Sequence, residues 1–189
     1  MRAGIVGFAL LGGFAWLILS RIASANSEDV GNPLYFSLGK TMTGNAQTLS
    51  QDGLQRLMAR EGFSATPYPD PPGQNKLFSI WYGHQIKPGD DLSLMTPEDT
   101  LRADTQIAAD AVNANVSATL TQNQFDALVS FVYNVGVSAF KHGTVPQKLN
   151  AGDFKAATDT MLRYVHDSTG AVNQSLAARR ATEVAQFYA

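Results

Sequence analysis

Two carboxyl residues, Glu61 and Asp70, are separated by eight residues and lie in contrasting surroundings. Glu61 ends a stretch of helical periodicity on its apolar side, whereas Asp70 lies in a proline-rich turn. Burial among apolar neighbours disfavours a charged carboxyl group, and a carboxylate in a wetter loop stays ionised. Cleavage of a glycosidic bond needs one carboxyl group of each kind. The pair predicts Glu61 as proton donor and Asp70 as the second carboxylate, although singly they resemble a solvated charge and a turn residue.

A helix must position Glu61. Ser50 is suited to cap a helix that runs to about Arg60, because apolar residues recur at Leu54 and Leu57 with helical spacing. Glu61 follows Leu57 by one turn and continues the same stripe. Gly62 then favours the end of the helix.

The following segment predicts a small antiparallel sheet. Four prolines exclude a helix from Pro67 to Asn75, which we interpret as a loop or the tip of a hairpin. Leu77 to Tyr82 has the aromatic and β-branched composition of a strand. Ser79 lies near the start of this strand, where its hydroxyl group is a candidate to hold the attacking water.

Beyond Met95 the pattern is helical. Two helices are predicted to start at Thr96–Asp99 and at Thr121 with Gln124. Further helices are predicted at Val137–Lys141, Pro146–Asn150 and Phe154–Met161, and Ser175 is predicted to cap a last one. Phe125, Leu128, Val129 and Val132 form a full apolar stripe after Thr121. The fold class is therefore α+β, with a small antiparallel sheet lobe, a larger helical lobe and a substrate cleft between them.

Composition excludes several classes of function. A length of 189 residues with 44% hydrophobic content suits one globular domain. The net charge of -2 and the absence of lysine or arginine runs argue against a nucleic-acid partner. There is no cysteine, so disulfides and thiol chemistry are excluded. His84, His142 and His166 lack metal-ligand spacing, and we expect neither a metal nor a cofactor.

Residues 1–25 predict a signal peptide or a signal-anchor segment, because Arg2 precedes an apolar run from Ala3 to Leu19. Ala23–Ala25 has the small residues of a signal-peptidase site. A cleaved signal, a retained anchor and a weakly hydrophobic anchor that later leaves the bilayer stay open. Residues 26–49 are predicted to be a linker, and residues 50–189 the catalytic domain. The protein is expected at the inner membrane facing the periplasm, released into the periplasm, or anchored in a virion.

Three segments together resemble the phage-type lysozymes of glycoside hydrolase family 24, endolysins that cut bacterial peptidoglycan. The family signature is Glu, eight residues, Asp or Cys, five residues, Thr, and a tail Ile-Gly-x-Gly-His. In this sequence the corresponding residues are Glu61, Asp70 and the run from Ser79 to His84. The segment 127–140 is similar to the family's long central helix and the loop after it, and residues 178–183 to its closing Arg-Arg-x-x-Glu segment. The resemblance covers about residues 49–189 and implies the lysozyme-like two-lobed fold.

The chain departs from the family pattern at two places. Eight residues separate Asp70 from Ser79 where the family has five, and Lys76, at the family's own spacing, has no acceptor for a hydrogen bond. Alignment on the tail makes the loop before Ser79 three residues longer. The second departure is Trp81, which replaces a family glycine and is either a face on which a sugar stacks or a core aromatic.

The resemblance also implies roles for residues distant from Glu61. Arg179 should reach back from the last helix to Glu61, and Arg180 is the alternative if the register shifts by one. Asn134 should line the cleft and bind substrate, although a helix C-terminal cap is an equal alternative. His84 should be structural and pair with an acid that the sequence does not identify.

These features predict a muramidase that hydrolyses the β-1,4 bond between N-acetylmuramic acid and N-acetylglucosamine during host lysis. Glu61, Asp70 and Ser79 would be catalytic, Arg179 would position the acid, and inversion would be the implied outcome. The expected partners are peptidoglycan strands and, through the N-terminal segment, the inner membrane; the protein is expected to be a monomer. A lytic transglycosylase and a non-catalytic virion module with this fold are the alternatives.

Overall fold

A computed structural model describes residues 46–69, 78–167 and 169–189 of the protein. Its elements are α1 (Gln51–Glu61), β1 (Ser64–Pro69), β2 (Phe78–Trp81), β3 (His84–Gln85), a short 3-10 helix (Leu92–Leu94), α2 (Pro97–Asn115), α3 (Gln122–Val135), α4 (Val137–His142), α5 (Val145–Asn150), α6 (Phe154–Met161) and α7 (Gln174–Phe187). The strands form one antiparallel sheet in the order β1-β2-β3. The predicted α+β class, with a small sheet followed by helices, is confirmed.

Helix α3 forms the centre of the helical lobe. Thr121 and Gln124 make the predicted capping box, in which each side chain bonds the other residue's backbone N–H. Phe125, Leu128 and Val129 have no exposed surface and Val132 is also buried, so the predicted apolar stripe is confirmed. Helix α3 packs against α1, α2 and α7, and therefore connects the helix that ends at Glu61 with the C-terminal helix.

Helix α1 is fixed to α3 by its N-terminal cap. Ser50 Oγ accepts a hydrogen bond from the backbone N–H of Gly53, as predicted for a cap residue. The backbone N–H and the hydroxyl group of Ser50 both donate to the buried carboxylate of Asp126 on α3. Leu54 and Leu57 are fully buried, so the start and the apolar face of α1 are both held in place.

Gly53 offers a test of this packing. A Cβ atom at Gly53 would lie 2.5 Å from Cγ of Asp126, which is itself buried and hydrogen-bonded. We expect Gly53→Ala to lower the free energy of unfolding by about 1–3 kcal/mol through overpacking, although alanine favours a helix by about 1 kcal/mol. Urea unfolding measures the change, with Gln55→Ala on the exposed face of α1 as control. Stability equal to or above wild type in Gly53→Ala would contradict this packing.

The sheet differs in one respect from the sequence prediction. Pro67 and Pro69 were assigned to a loop or hairpin tip, but both lie in β1. Among the described strands β1 pairs only with β2, so it is an edge strand, where a missing backbone N–H is tolerated. Its register shifts between Ser64 and Tyr68, which marks an irregularity in the pairing. Strand β2 was predicted from Leu77 to Tyr82 and spans Phe78–Trp81.

The C-terminal helix begins two residues earlier than predicted. Ser175 was expected to cap it, but the cap is Asn173, whose side-chain oxygen accepts from the backbone N–H groups of Ser175 and Leu176. Both residue types are good caps, so the sequence did not discriminate between them. The predicted helices around Val137, Pro146 and Phe154 are present as α4, α5 and α6.

The end of the predicted linker packs on the domain. Leu49 is buried in the core, and the backbone of Gln47 exchanges two hydrogen bonds with the side chain of Asn113 on α2. The rest of the linker and the predicted signal or anchor segment at residues 1–25 lie outside the described residues. Over the residues that are described, no helix combines the length and apolar character needed to cross a membrane.

Candidate active site

Glu61 is the last residue of α1, and its side chain is only 6% exposed. Helix α1 stops here because Gly62 adopts a φ of 73°, a conformation that favours glycine. Because Glu61 continues the apolar stripe of α1, its carboxyl group lies in the interior, just before the chain enters β1. A buried carboxyl group requires a charged or hydrogen-bonding partner.

Arg179 on α7 is that partner. Its Nη1 lies 2.7 Å from Oε1 of Glu61, and the Arg179 side chain is 9% exposed. Among the described residues Oε1 has this ion pair and no other hydrogen-bond partner. Burial lowers the pKa of Arg179, but the carboxylates of Glu61 and Glu183 outweigh it, so the pKa is raised. Arg179 is therefore a permanent positive charge beside Glu61.

Arg180, the alternative partner, forms its hydrogen bonds with groups other than Glu61. Its guanidinium has no exposed surface and bonds Oε2 of Glu183, Oδ1 of Asn134 and the backbone oxygen of Tyr164. Burial lowers the pKa of Arg180 to about 10, with Glu183 acting in the opposite direction. The ring of Phe131 lies 5.0 Å from its guanidinium carbon, a cation–π contact.

Asn134 faces this cluster. The residue is 8% exposed, and its carbonyl oxygen accepts from Arg180. It does not cap α3, because the cap position is Gly136, whose backbone N–H bonds the oxygen of Val132. The alternative of a C-terminal cap is therefore wrong, and a contact with substrate stays a prediction.

Of the other two predicted catalytic residues, Ser79 lies in the sheet. Ser79 is on the central strand β2, opposite Tyr68 of β1 and Gln85 of β3, and has no exposed surface. In this arrangement solvent does not reach the side chain of Ser79. Asp70 directly follows β1, and both it and Lys76 lie outside the described residues. The roles of Asp70 and Ser79 stay predictions.

His84 fastens the sheet to α2. Its Nδ1 lies 2.9 Å from Oδ2 of Asp104 on α2, and its Nε2 lies 3.3 Å from Oδ2 of Asp90. The hydrogen bond to Asp104 raises the pKa of His84 against the opposing effect of burial, and Asp90 raises it further. The acid that the sequence left unidentified is thus a pair of aspartates.

We expect a pH-dependent contribution of this pair to stability. Because the folded pKa of His84 lies above the ordinary value of 6.5, the stabilisation is complete below that pH and is lost as the pH rises through the folded pKa. Asp104→Asn should therefore cost more unfolding free energy at a pH of about 5.5 than at about 9. Denaturant unfolding at the two pH values measures this, with Asp110→Asn, an exposed residue of the same helix, as control. An equal loss at both pH values would count against the ion pair.

Trp81 has a strained backbone. Its φ is 57°, and it is the second residue of a tight turn closed by a hydrogen bond from Gly83 N–H to the Ile80 oxygen. Turns with positive φ at this position strongly favour glycine, because a side chain is disfavoured there. This conformation gives a physical reason for the glycine expected from the resemblance. The indole stacks on His84 with ring centres 6.3 Å apart.

Comparison with known proteins identifies the family to which this arrangement belongs. The family described as Phage lysozyme matches residues 58–183, a range that includes Glu61, Ser79 and Arg179. The chain belongs to the phage lysozyme family. The predicted lysozyme-like fold is confirmed by a solved muramidase domain of SpmX from Asticaccaulis excentricus, with a TM-score of 0.67, 32% identity, and coverage of 76% of this chain and 99% of that one.

Relatives of this phage lysozyme are endolysins. The endolysin of Bacillus phage PZA is 39% identical over 74% of this chain, and the match spans 54% of that protein. The SAR-endolysin of Escherichia phage Mu is 32% identical over 69% of this chain and 75% of its own length. The chain therefore spans about half the length of the Bacillus phage endolysin.

The phage lysozyme site contains residues to which the sequence assigned no role. Glu183 is fully buried between Arg179 and Arg180, and Arg60 bonds Ser130 and Gln186 at the edge of the same cluster. The spacing of Glu183 from the two arginines, three and four residues on one helix, was the available signal. The described residues contain no group of three or more side chains suited to hold a metal ion.

Tyr133 was also missed. Burial raises the pKa of Tyr133 well above its usual value, and the carboxylates of Glu61 and Asp104 raise it further. The negative charges of Glu61, at the end of α1, and of Asp104, on the side of α2 that binds His84, therefore both act on this α3 phenol. In the sequence it is one more aromatic residue next to an apolar stripe, which gives no such signal.

Proposed function

We propose that this phage lysozyme is a muramidase that hydrolyses the β-1,4 bond between N-acetylmuramic acid and N-acetylglucosamine in peptidoglycan. The observation that carries the proposal is the buried carboxyl group of Glu61, held by Arg179 within the segment that matches the family. Apolar burial favours the protonated form of a carboxyl group and a guanidinium favours the charged form. A general acid must adopt both the protonated and the ionised form during turnover, because it donates a proton and is later reprotonated.

Each catalytic residue has a separate task in this proposal. Glu61 protonates the glycosidic oxygen, so the leaving sugar departs as a neutral alcohol. Asp70 activates a water molecule on the opposite face of the sugar ring, and Ser79 helps to hold that water. Inversion of the anomeric centre would require carboxyl groups about 6.5–9.5 Å apart, and retention a separation of about 5 Å.

Two residues are proposed to bind the glycan strand. The indole of Trp81 lies beside His84 at the end of β2 and would provide an apolar face for a sugar ring. The amide nitrogen of Asn134 would donate to an acetyl or hydroxyl oxygen, while its carbonyl oxygen stays on Arg180.

The backbone strain at Trp81 makes its role testable. Trp81→Gly relieves the positive φ, so we expect a free energy of unfolding equal to wild type or up to about 1 kcal/mol higher. Loss of a stacking face worth about 1 kcal/mol should raise KM for peptidoglycan about fivefold. Trp81→Phe, which keeps an aromatic face and the strain, is the control and should keep KM near wild type. An unchanged KM in Trp81→Gly would assign the indole to packing alone.

The chemical nature of the products tests the reaction. Full-length protein is incubated with purified peptidoglycan, and the released fragments are analysed by mass spectrometry. Hydrolysis leaves a free reducing end on N-acetylmuramic acid, and we expect this product. A 1,6-anhydro end would instead establish a lytic transglycosylase, in which the sugar's own hydroxyl group attacks. Absence of any cleavage would favour a non-catalytic virion module.

We also propose that the protein is a monomer, is exported to the periplasmic face of the inner membrane, and acts there in host lysis. The apolar run of residues 3–19 and the likeness to a SAR-endolysin support export. Fractionation of cells that express the full chain, with and without residues 1–25, tests the location. Recovery of both forms from the cytoplasm would refute it, and sedimentation of the purified protein tests the monomer.

A further inference from the structure

Glu183 lies behind the proposed catalytic acid and is shared by two arginines. Its side chain on α7 has no exposed surface. Oε1 accepts from the hydroxyl group of Ser130 at 2.7 Å and from Nε of Arg179 at 3.0 Å, and Oε2 accepts from Arg180. A buried carboxylate with both oxygens engaged is fixed in position.

The guanidinium of Arg179 is held at three points. Nε contacts Glu183, Nη1 contacts Glu61 at 2.7 Å, and Nη2 donates to the backbone oxygen of Ser130 at 3.2 Å. Because a guanidinium is planar and rigid, two of these contacts are enough to fix where the third nitrogen points. Glu183 and the Ser130 oxygen therefore determine the direction of Nη1 toward Glu61.

We propose that Glu183 is a positioning residue of this site, which aims Arg179 at Glu61 and divides the charge of Arg179 between two carboxylates. The inference rests on the proposed function, in which Glu61 is the general acid. Glu183 acts through Arg179, because both of its oxygens are already engaged by Ser130, Arg179 and Arg180.

The charges around Glu61 determine the direction of the effect. Glutamine at position 183 would preserve the shape and remove one negative charge, so Arg179 and Arg180 would act more strongly on Glu61. A more positive surrounding favours the ionised carboxylate. Among the described residues, the ionisable side chains that act on this cluster include Arg56 and Arg60 from α1 and Tyr133 from α3. Asp104 from α2 and Tyr68 from β1 act in turn on Tyr133.

The pH profile of Glu183→Gln provides the first test. A general acid is inactive when it is ionised, so we expect the basic limb of the rate profile to move to lower pH by about one unit. At a fixed pH on that limb kcat should fall about tenfold, with KM within about twofold of wild type. Asp159→Asn, which removes an exposed carboxylate paired with Lys155, is the control and should leave the profile unchanged.

The outcomes separate positioning from a merely structural role. A lower rate with the basic limb at the wild-type pH would overturn the proposal, and so would a shift to higher pH. If wild-type protein cleaves no peptidoglycan, it is the proposed function that fails. The second test does not depend on activity.

The side-chain N–H of Arg179 provides that second test, which needs no change at position 183. In Glu61→Gln the charge partner of Nη1 is gone, but Glu183 and the Ser130 oxygen remain. We therefore expect NMR to show slow hydrogen exchange of the Arg179 Nε–H in wild type and equally slow exchange in Glu61→Gln. Loss of this protection in the folded variant would show that Glu61 holds Arg179, and would overturn the proposal.

Discussion

Glu61→Gln is expected to lower the rate of peptidoglycan hydrolysis by about 10²–10⁴-fold. Glutamine has nearly the same size as glutamate, but its amide group cannot donate a proton to the leaving oxygen. Arg179 keeps two of its three contacts, those with Glu183 and Ser130, so the fold around the site should persist. The loss should therefore appear in kcat of a variant that still folds.

Loss of turbidity of permeabilised Gram-negative cells, followed beside wild type, measures this rate. Glu98→Gln is a matched control, because Glu98 lies in the first turn of α2 and bonds Gln51 at the surface. The control should clear cells at the wild-type rate. Equal clearing by Glu61→Gln and wild type would remove Glu61 from the role of general acid.

Arg180→Ala is expected to have the largest effect on stability, lowering the free energy of unfolding by about 3–5 kcal/mol. The substitution leaves the fully buried Glu183 with one guanidinium instead of two, and removes the donor to Asn134. It also leaves space beside the Phe131 ring. Removal of one partner from a buried charge cluster is costly because the remaining groups cannot reach water.

Urea unfolding measures this loss. Arg163→Ala is the matched control, since Arg163 is exposed and lies in the turn that follows α6. An exposed substitution of this kind should change stability by no more than about 0.5 kcal/mol. If the two variants unfold at the same urea concentration, the buried cluster does not stabilise the fold as described.

The helices were predictable because local signals specify them. Ser50 and the capping box at Thr121 are formed as the sequence indicates, and the stripe of α3 is buried. The start of α7 was misplaced because Asn173 and Ser175 are both competent caps, and only the surrounding turn selects between them. Strand β1 was missed because proline disfavours a strand except at an edge, and edge position is a tertiary property.

The site was predictable only in part. The position of Arg179 against Glu61 was expected from the resemblance, because motif order conveys long-range contacts that local patterns do not. Asp90 and Asp104 could not be assigned to His84 from spacing, since they approach the ring from a loop and from α2. The positive φ of Trp81 and the role of Glu183 depend on turn geometry and on burial, which the sequence does not state.

The most direct test of the central claim is cleavage of peptidoglycan in water labelled with heavy oxygen, followed by mass spectrometry of the products. If Glu61 protonates the leaving oxygen and water attacks the sugar, each new reducing end of N-acetylmuramic acid carries one labelled oxygen. We expect this label with wild-type protein and its loss with Glu61→Gln. Unlabelled anhydro ends from wild type, or labelled ends formed at the wild-type rate by Glu61→Gln, would contradict it.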